Sequence, residues 1–156
     1  MKLTKDEKKL VEYAKKAVVR YNKKRHAKGK HEWNVDTVYA FVMSDTGKIY
    51  DGACLETTVS GGVCAERHAI ANMVLNETYR AKIKSIVIPS PVPKVLKKST
   101  TPCGLCRHVI WERGTSNTTV ICLQYIQKKN GWIFPKMDKY TIKELYPNPF
   151  EMVKWD

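Results

Sequence analysis

Two short stretches, Val63-Cys64-Ala65-Glu66-Arg67 and Thr101-Pro102-Cys103-Gly104-Leu105-Cys106-Arg107, decide how this chain reads. Each opens a segment of helical periodicity. Ala65, Ala69, Met73 and Val74 follow the first in a helix expected to reach Asn76, and the second runs to about Arg113. Cys103 and Cys106 are three residues apart, so at a helix start they share a face and can share a metal. Cys64, at another helix start, can supply a third thiolate, and the positive end of a helix favours that ionised form. Three soft ligands with a fourth position left open describe a catalytic zinc rather than a closed structural one. Glu66, two residues after Cys64, can face that open position without ligating beside its neighbour. A carboxylate so placed can take a proton from water and pass it on, as general base and then general acid.

Outward from these stretches, the chain alternates helical and strand patterns. Thr4-Lys5-Asp6-Glu7 reads as a capping box, and Leu10, Ala14, Ala17, Val18 and Tyr21 then recur at helical spacing with lysines on the other side. This predicts a basic amphipathic helix over residues 1–28. Thr37 to Met43 and Lys48 to Gly52 flank the turn Ser44-Asp45-Thr46-Gly47 and read as a hairpin. Ile83 to Ile88 and Thr118 to Ile126 are strands, Gly131 to Phe134 is a shorter one, and Thr141 to Leu145 is a last helical turn or two. Residues Pro89 to Thr101 read as a Pro/Lys-rich loop. The order α-β-β-α-β-α-β-(β)-α predicts a three-layer α/β/α fold with a central mixed sheet of about five strands.

The chain has 156 residues, the length of one domain, and its 43% hydrophobic and 28% charged content excludes extended disorder or a low-complexity fibre. A single domain over 1–156 is the expectation. No apolar run approaches the ~20 residues of a membrane span, and Met1 to Asp6 lacks the apolar core of a signal peptide. A cytoplasmic address is expected. Five cysteines, at 54, 64, 103, 106 and 122, are an odd count that points to metal or catalytic use rather than a disulfide framework. The net charge of +13 is uneven, because residues 1–30 carry 12 Lys/Arg against 3 Asp/Glu. Such a stretch can bind nucleic acid phosphates, although Lys-rich helices are more often solvated faces.

Cys-x-Glu followed by Pro-Cys-x-x-Cys is the ligand logic of zinc deaminases. The stretches Cys64-Ala65-Glu66-Arg67 and Pro102 to Arg107 resemble the paired site motifs of the cytidine deaminase family, including its blasticidin S deaminase branch. Thr141 to Phe150 resembles the closing segment of small cytidine deaminases. Val38-Tyr39-Ala40 through Asp45-Thr46-Gly47 and Gly52 is similar to the family's first hairpin. The resemblance implies that Cys64, Cys103 and Cys106 hold Zn²⁺ and that Glu66 shuttles protons while hydroxide attacks C4 of a cytosine nucleoside, releasing ammonia. It implies that Arg67 hydrogen-bonds the thiolates and withdraws their charge, and that Glu56, Ala65, Pro102 and Phe150 contact substrate. A homotetramer is also implied, with Phe150 reaching a neighbour's site.

Against that pattern, the family's Asn-x-Glu-Asn stretch here reads Cys54-Leu55-Glu56-Thr57, keeping the Glu and replacing both Asn. A pocket aromatic expected near the first strand falls on Asp36. Gly61-Gly62 resembles a Gly pair of the blasticidin branch. Other readings stand beside these. The substrate can be a blasticidin-like or otherwise modified cytosine, or the chain can be a zinc-stabilised nucleic-acid-binding module or a polynucleotide deaminase. His68 can close a Cys₃His structural site, and Arg107 can assist Arg67 or form a surface salt bridge. His108 reads as a satisfied helix residue, Cys54 as an inert small apolar residue, and Cys122 as core. Trp33, Trp111, Trp132 and Trp155 are assigned to packing or subunit contacts.

Overall fold

The run Tyr39–Ser44 is buried on both faces, which a strand tolerates only with cover on each side. In the computed structural model, which describes residues 2–26, 36–55 and 62–150, this run is β1. The other strands are β2 (Ile49–Ala53), β3 (Ile83–Pro91), β4 (Thr119–Lys128) and β5 (Gly131–Thr141), ordered β2-β1-β3-β4-β5. β3 and β4 are parallel, whereas β1–β2, β1–β3 and β4–β5 pair antiparallel, so the sheet is mixed as expected.

Helices cover both faces. Tyr39, Phe41, Met43, Val87, Ile121, Leu123 and Tyr125 pack against Leu10, Val11, Ala14, Ala17 and Val18 of α1 (Lys5–His26). Alternate residues of the same strands, Ala40, Val42, Ile86, Ile88, Val120 and Cys122, pack against α2 (Ala65–Asn76) and α3 (Gly104–Arg113) on the opposite face. This is the three-layer α/β/α arrangement. Cys122 lies in the core as read, and Trp111 packs against the same cluster. α4 (Ile142–Leu145) is one turn opened by a capping box between Thr141 and Glu144.

The capping box of α1 is present too, with the Glu7 amide on Thr4 Oγ1 at 3.2 Å and the Thr4 amide on Glu7 Oε2 at 2.8 Å. Among described residues α1 ends at His26, and positions 27–35, including Trp33, lie outside them. Asp36, where an aromatic was expected, accepts from Trp132 Nε1 at 3.0 Å and meets His26 Nε2 at 2.8 Å. It thereby fastens the end of α1 to β5.

Two expectations were too short. β3 continues through Pro89 to Pro91, because no β1 residue pairs beyond Val87 and the missing proline N–H groups face no ladder there. β5 continues past Phe134 to Thr141 as an edge strand, with Pro135 lying where its pairing with β4 shifts register between Gln124 and Ile126. Lys136 and Lys139 suit a sheet edge.

Glu7 is buried, which alone would raise its pKa, but Lys139 Nζ at 2.8 Å and the Thr4 amide outweigh burial and hold it below the ordinary value. A depressed folded-state pKa adds stability above the unfolded value and loses it as pH falls through the folded one. Glu7→Gln, which keeps a capping-box side chain, should therefore destabilise the fold at neutral pH. The gap from the parent should close as pH falls through the acid range. Denaturant midpoints measured across pH check this, and a gap independent of pH would contradict it.

Candidate active site

The first site motif is delivered by a close approach of strand to helix. A Cβ on Gly52 of β2 would stand 2.4 Å from both Ala65 O and Ala69 N, so only glycine lets β2 lie this close to the start of α2. Cys64 is the N-cap of α2 in extended conformation, and Cys103 occupies the same position on α3. Each carbonyl accepts the first helical bond, from His68 N at 3.1 Å and Arg107 N at 2.9 Å. Leu55 and Val63 exchange backbone hydrogen bonds at 2.9 and 3.0 Å just ahead of Cys64.

These elements bring together the sulfurs of Cys64, Cys103 and Cys106, all within 4.8 Å of one another. Cys64 Sγ and Cys103 Sγ are 3.9 Å apart. Two thiolates on a tetrahedral zinc at about 2.3 Å stand about 3.8 Å from each other, so the donor set fits that ion. Charge argues the same way. Burial opposes ionisation of Cys103, yet hydrogen bonds from Cys106 and Cys64 hold its pKa below the ordinary thiol value. Burial, then Glu66 and the neighbouring sulfurs, push the Cys106 thiol far up. Three thiolates side by side repel one another and require a cation.

Glu66 is only 5% exposed, and burial raises its carboxyl against the pull of its own amide, the Cys106 thiol and Arg67. Arg67 lies beside the sulfurs, and its interaction with Cys64 raises its pKa. Its Nη2 donates to Gly62 O at 3.3 Å, while its Nε is buried with no hydrogen-bond partner among the described residues. Ala65 and Pro102 are buried beside Cys64 and Cys103. Phe150 is 68% exposed, its ring 6.4 Å from that of His108. Glu56, Thr57 and Gly61 lie outside the described residues.

His68 does not join the cluster. Its Nδ1 sits 3.1 Å from Ala53 O, and the residue is exposed. A closed Cys₃His site is not formed, because one turn of α2 carries His68 toward β2 instead. His108 is engaged by Glu112 at 3.2 Å and by Tyr146 at 3.4 Å, as a satisfied helix residue should be. Among the described residues Arg107 makes neither of the alternatives read for it, a surface salt bridge or a hydrogen bond to the sulfurs. It donates to Pro102 O at 2.7 Å, Thr101 Oγ1 at 2.8 Å and Leu145 O at 3.1 Å, locking the residues before Cys103 to the end of α4. Gln124, fully buried, was missed altogether. It accepts from Leu96 N at 2.9 Å and donates to Leu96 O at 3.0 Å, anchoring the loop that leads to Cys103. The signal was a polar residue inside the apolar run Cys122-Leu123-Gln124-Tyr125-Ile126. A separate cavity of about 330 Å³ opens at the β2 edge between α1 and α2, lined in part by Tyr21, Tyr39, Ala53 and His68. The sulfurs do not line it.

The chain belongs to the family described as the cytidine and deoxycytidylate deaminase zinc-binding region, whose model matches residues 7–122. A cytidine deaminase of Mycoplasma pneumoniae is 32% identical over 79 residues, 49% of this chain and 55% of that protein. The match therefore spans about half of that relative's length. The crystal structure of a cytidine deaminase from Burkholderia pseudomallei is similar with a TM-score of 0.61 at 22% identity, covering 86% of this chain and 98% of that one. The cytidine deaminase of Mycobacterium tuberculosis gives 0.55 at 18% identity, covering 88% and 97%. At these identities the likeness speaks for the fold.

Arg107→Lys should behave nearly as badly as Arg107→Ala, since an ammonium cannot reproduce the planar fork that meets three acceptors at once. The expected loss is about 1–3 kcal/mol of stability, with faster loss of bound metal to a chelator. Unfolding curves and chelator-trapping kinetics check this, and a Lys variant equal to the parent would contradict the lock.

Proposed function

We propose that this chain is a zinc-dependent hydrolytic deaminase that converts a cytosine nucleoside, cytidine or deoxycytidine, to the uracil nucleoside and ammonia. The observation that carries the reading is the buried Glu66 carboxyl beside three converging cysteine sulfurs. Membership of the family and the likeness to the cytidine deaminase of Mycoplasma pneumoniae support it.

Cys64, Cys103 and Cys106 would hold the zinc, which when bound supplies a Lewis acid able to make water nucleophilic at neutral pH. Glu66 accepts one proton from the attacking water and passes it to the ring nitrogen, then accepts the second from the hydroxyl left on C4 and passes it to the leaving amine, which departs as ammonia. Its raised pKa suits both directions of transfer. Arg67 draws charge from the thiolates and so offsets the formal −1 that three of them leave on Zn²⁺. Ala65 and Pro102, flanking the sulfurs, and Glu56 contact the substrate. Phe150, exposed on this subunit, reaches a neighbour's site in a homotetramer. The domain is read as single over 1–156. The cysteines, none of them in a disulfide, suit a reducing cytoplasm.

A second reading keeps the zinc chemistry and changes the ring to a blasticidin-like or otherwise modified cytosine. Cys54 favours it, since it packs partly buried against the α2-side core where the family's pattern has an amide side chain. Losing a group that hydrogen-bonds substrate can cost discrimination of ~10⁴. Ultraviolet assays on cytidine, deoxycytidine, cytosine and blasticidin S decide between the two. Exclusive turnover of cytidine and deoxycytidine rejects the second reading, and turnover of none of the four rejects both. Glu66→Gln should retain zinc and lower the rate by about 10²–10⁴. Undiminished ammonia release from that variant would remove Glu66 from the mechanism.

A further inference from the structure

The charge concentrated in the first thirty residues has no part in the site just described, and α1 sets four of its lysines in one line. Lys5, Lys9, Lys16 and Lys23 are all exposed. At about 100° of rotation per residue they fall within an arc of about 40°, which Arg20 widens to about 60°. Lys9, Lys16 and Lys23 are spaced seven residues apart, so they stack along the helix. The residues α1 buries, Leu10, Val11, Ala14, Ala17 and Val18, centre about 180° away from the stripe. The stripe therefore points directly away from the sheet and runs about 27 Å from Lys5 to Lys23.

The acids near this line are already engaged. Glu12 pairs with Lys15 at 2.9 Å, Asp6 with Lys84 at 2.6 Å, and Glu7 with Lys139 at 2.8 Å. Asp51, which accepts from Tyr13 at 3.0 Å, is the acid nearest Arg20, at 3.7 Å. Among the described residues no carboxylate lies within ion-pair distance of Lys5, Lys9, Lys16 or Lys23. A fold held by its capping box and apolar stripe has no need of four uncompensated cations in register, and their mutual repulsion weakens the helix slightly.

We propose that the outer face of α1 docks a nucleic acid strand through its phosphodiester backbone. A straight row of flexible point charges matches a regular row of phosphates and carries no base-reading group, so the binding is independent of sequence. A membrane surface is disfavoured as the occupant, because an interfacial helix must bury its apolar face in lipid and α1 has committed that face to the sheet. The inference does not depend on the deaminase reading.

Fluorescence anisotropy on the full chain tests it, with duplex DNA and single-stranded RNA of arbitrary sequence. Four phosphate contacts give a slope of log affinity against log salt of about −3.6 on duplex and about −2.8 on a single strand. On duplex, affinity should fall about 150-fold between about 50 and 200 mM salt. The variant carrying K5Q, K9Q, K16Q and K23Q should lose most of that slope. A control carrying K48Q, K94Q, K129Q and K143Q removes the same charge elsewhere and should keep it. Circular dichroism confirms that both variants retain the parent's helix content. The proposal is overturned by absence of binding at low salt, or by equal losses in the two variants, which would mean net charge alone. It is likewise overturned by comparable binding to polyglutamate or to phosphatidylserine vesicles.

Discussion

Three sulfur atoms within 4.8 Å of one another, with a buried carboxyl at their side, are an arrangement that a protein interior resists. Desolvation penalises each ionised group, and each thiolate raises the pKa of the next. The chain carries this strain by placing two of the three sulfurs at helix N-caps, where the backbone supplies positive potential. Both helix starts must then reach the same spot. That requirement explains the bare Gly52 under α2, and it explains why α2 and α3 share one face of the sheet while α1 takes the other.

The second motif is held differently from the first. The segment between β3 and α3 has little regular structure, so its position is set by side chains reaching in from elsewhere. Gln124 grips Leu96, Asp138 accepts from Ser99 N at 2.8 Å, and Arg107 binds the segment's last residues to α4. Because Arg107 also touches Leu145, the closing segment that ends near Phe150 and the residues before Cys103 are mechanically one unit.

Much of the site was legible because the chemistry demands particular residue types at short spacing. Cys-x-Glu and Cys-x-x-Cys place their groups by local helix geometry alone, and the structure brings all four together. The sheet was legible for a similar reason, in that Phe41, Val42 and their neighbours fit only a covered strand. The lock made by Arg107 was not, since its three acceptors are backbone and hydroxyl oxygens that carry no sequence signal at a distance. The full β5 was also hidden, because Pro135, Lys136 and Lys139 look like loop until the strand is known to lie at the sheet edge. Asp36 illustrates the limit of pattern matching. Where the family's pattern suggested a pocket aromatic, this chain places a carboxylate that fastens His26 and Trp132.

Charge and chemistry occupy different faces, with the lysine row outside α1 and the sulfurs on the far side of the sheet. The central claim concerns the sulfurs, and it is tested most directly by counting zinc and reactive thiols together on the purified chain. Elemental analysis should find one zinc per chain, and a chelator should release it in step with the exposure of three of the five cysteines to a thiol reagent. A metal-free chain whose thiols react independently of the chelator, or zinc retained undiminished after Cys103→Ser, would contradict the account.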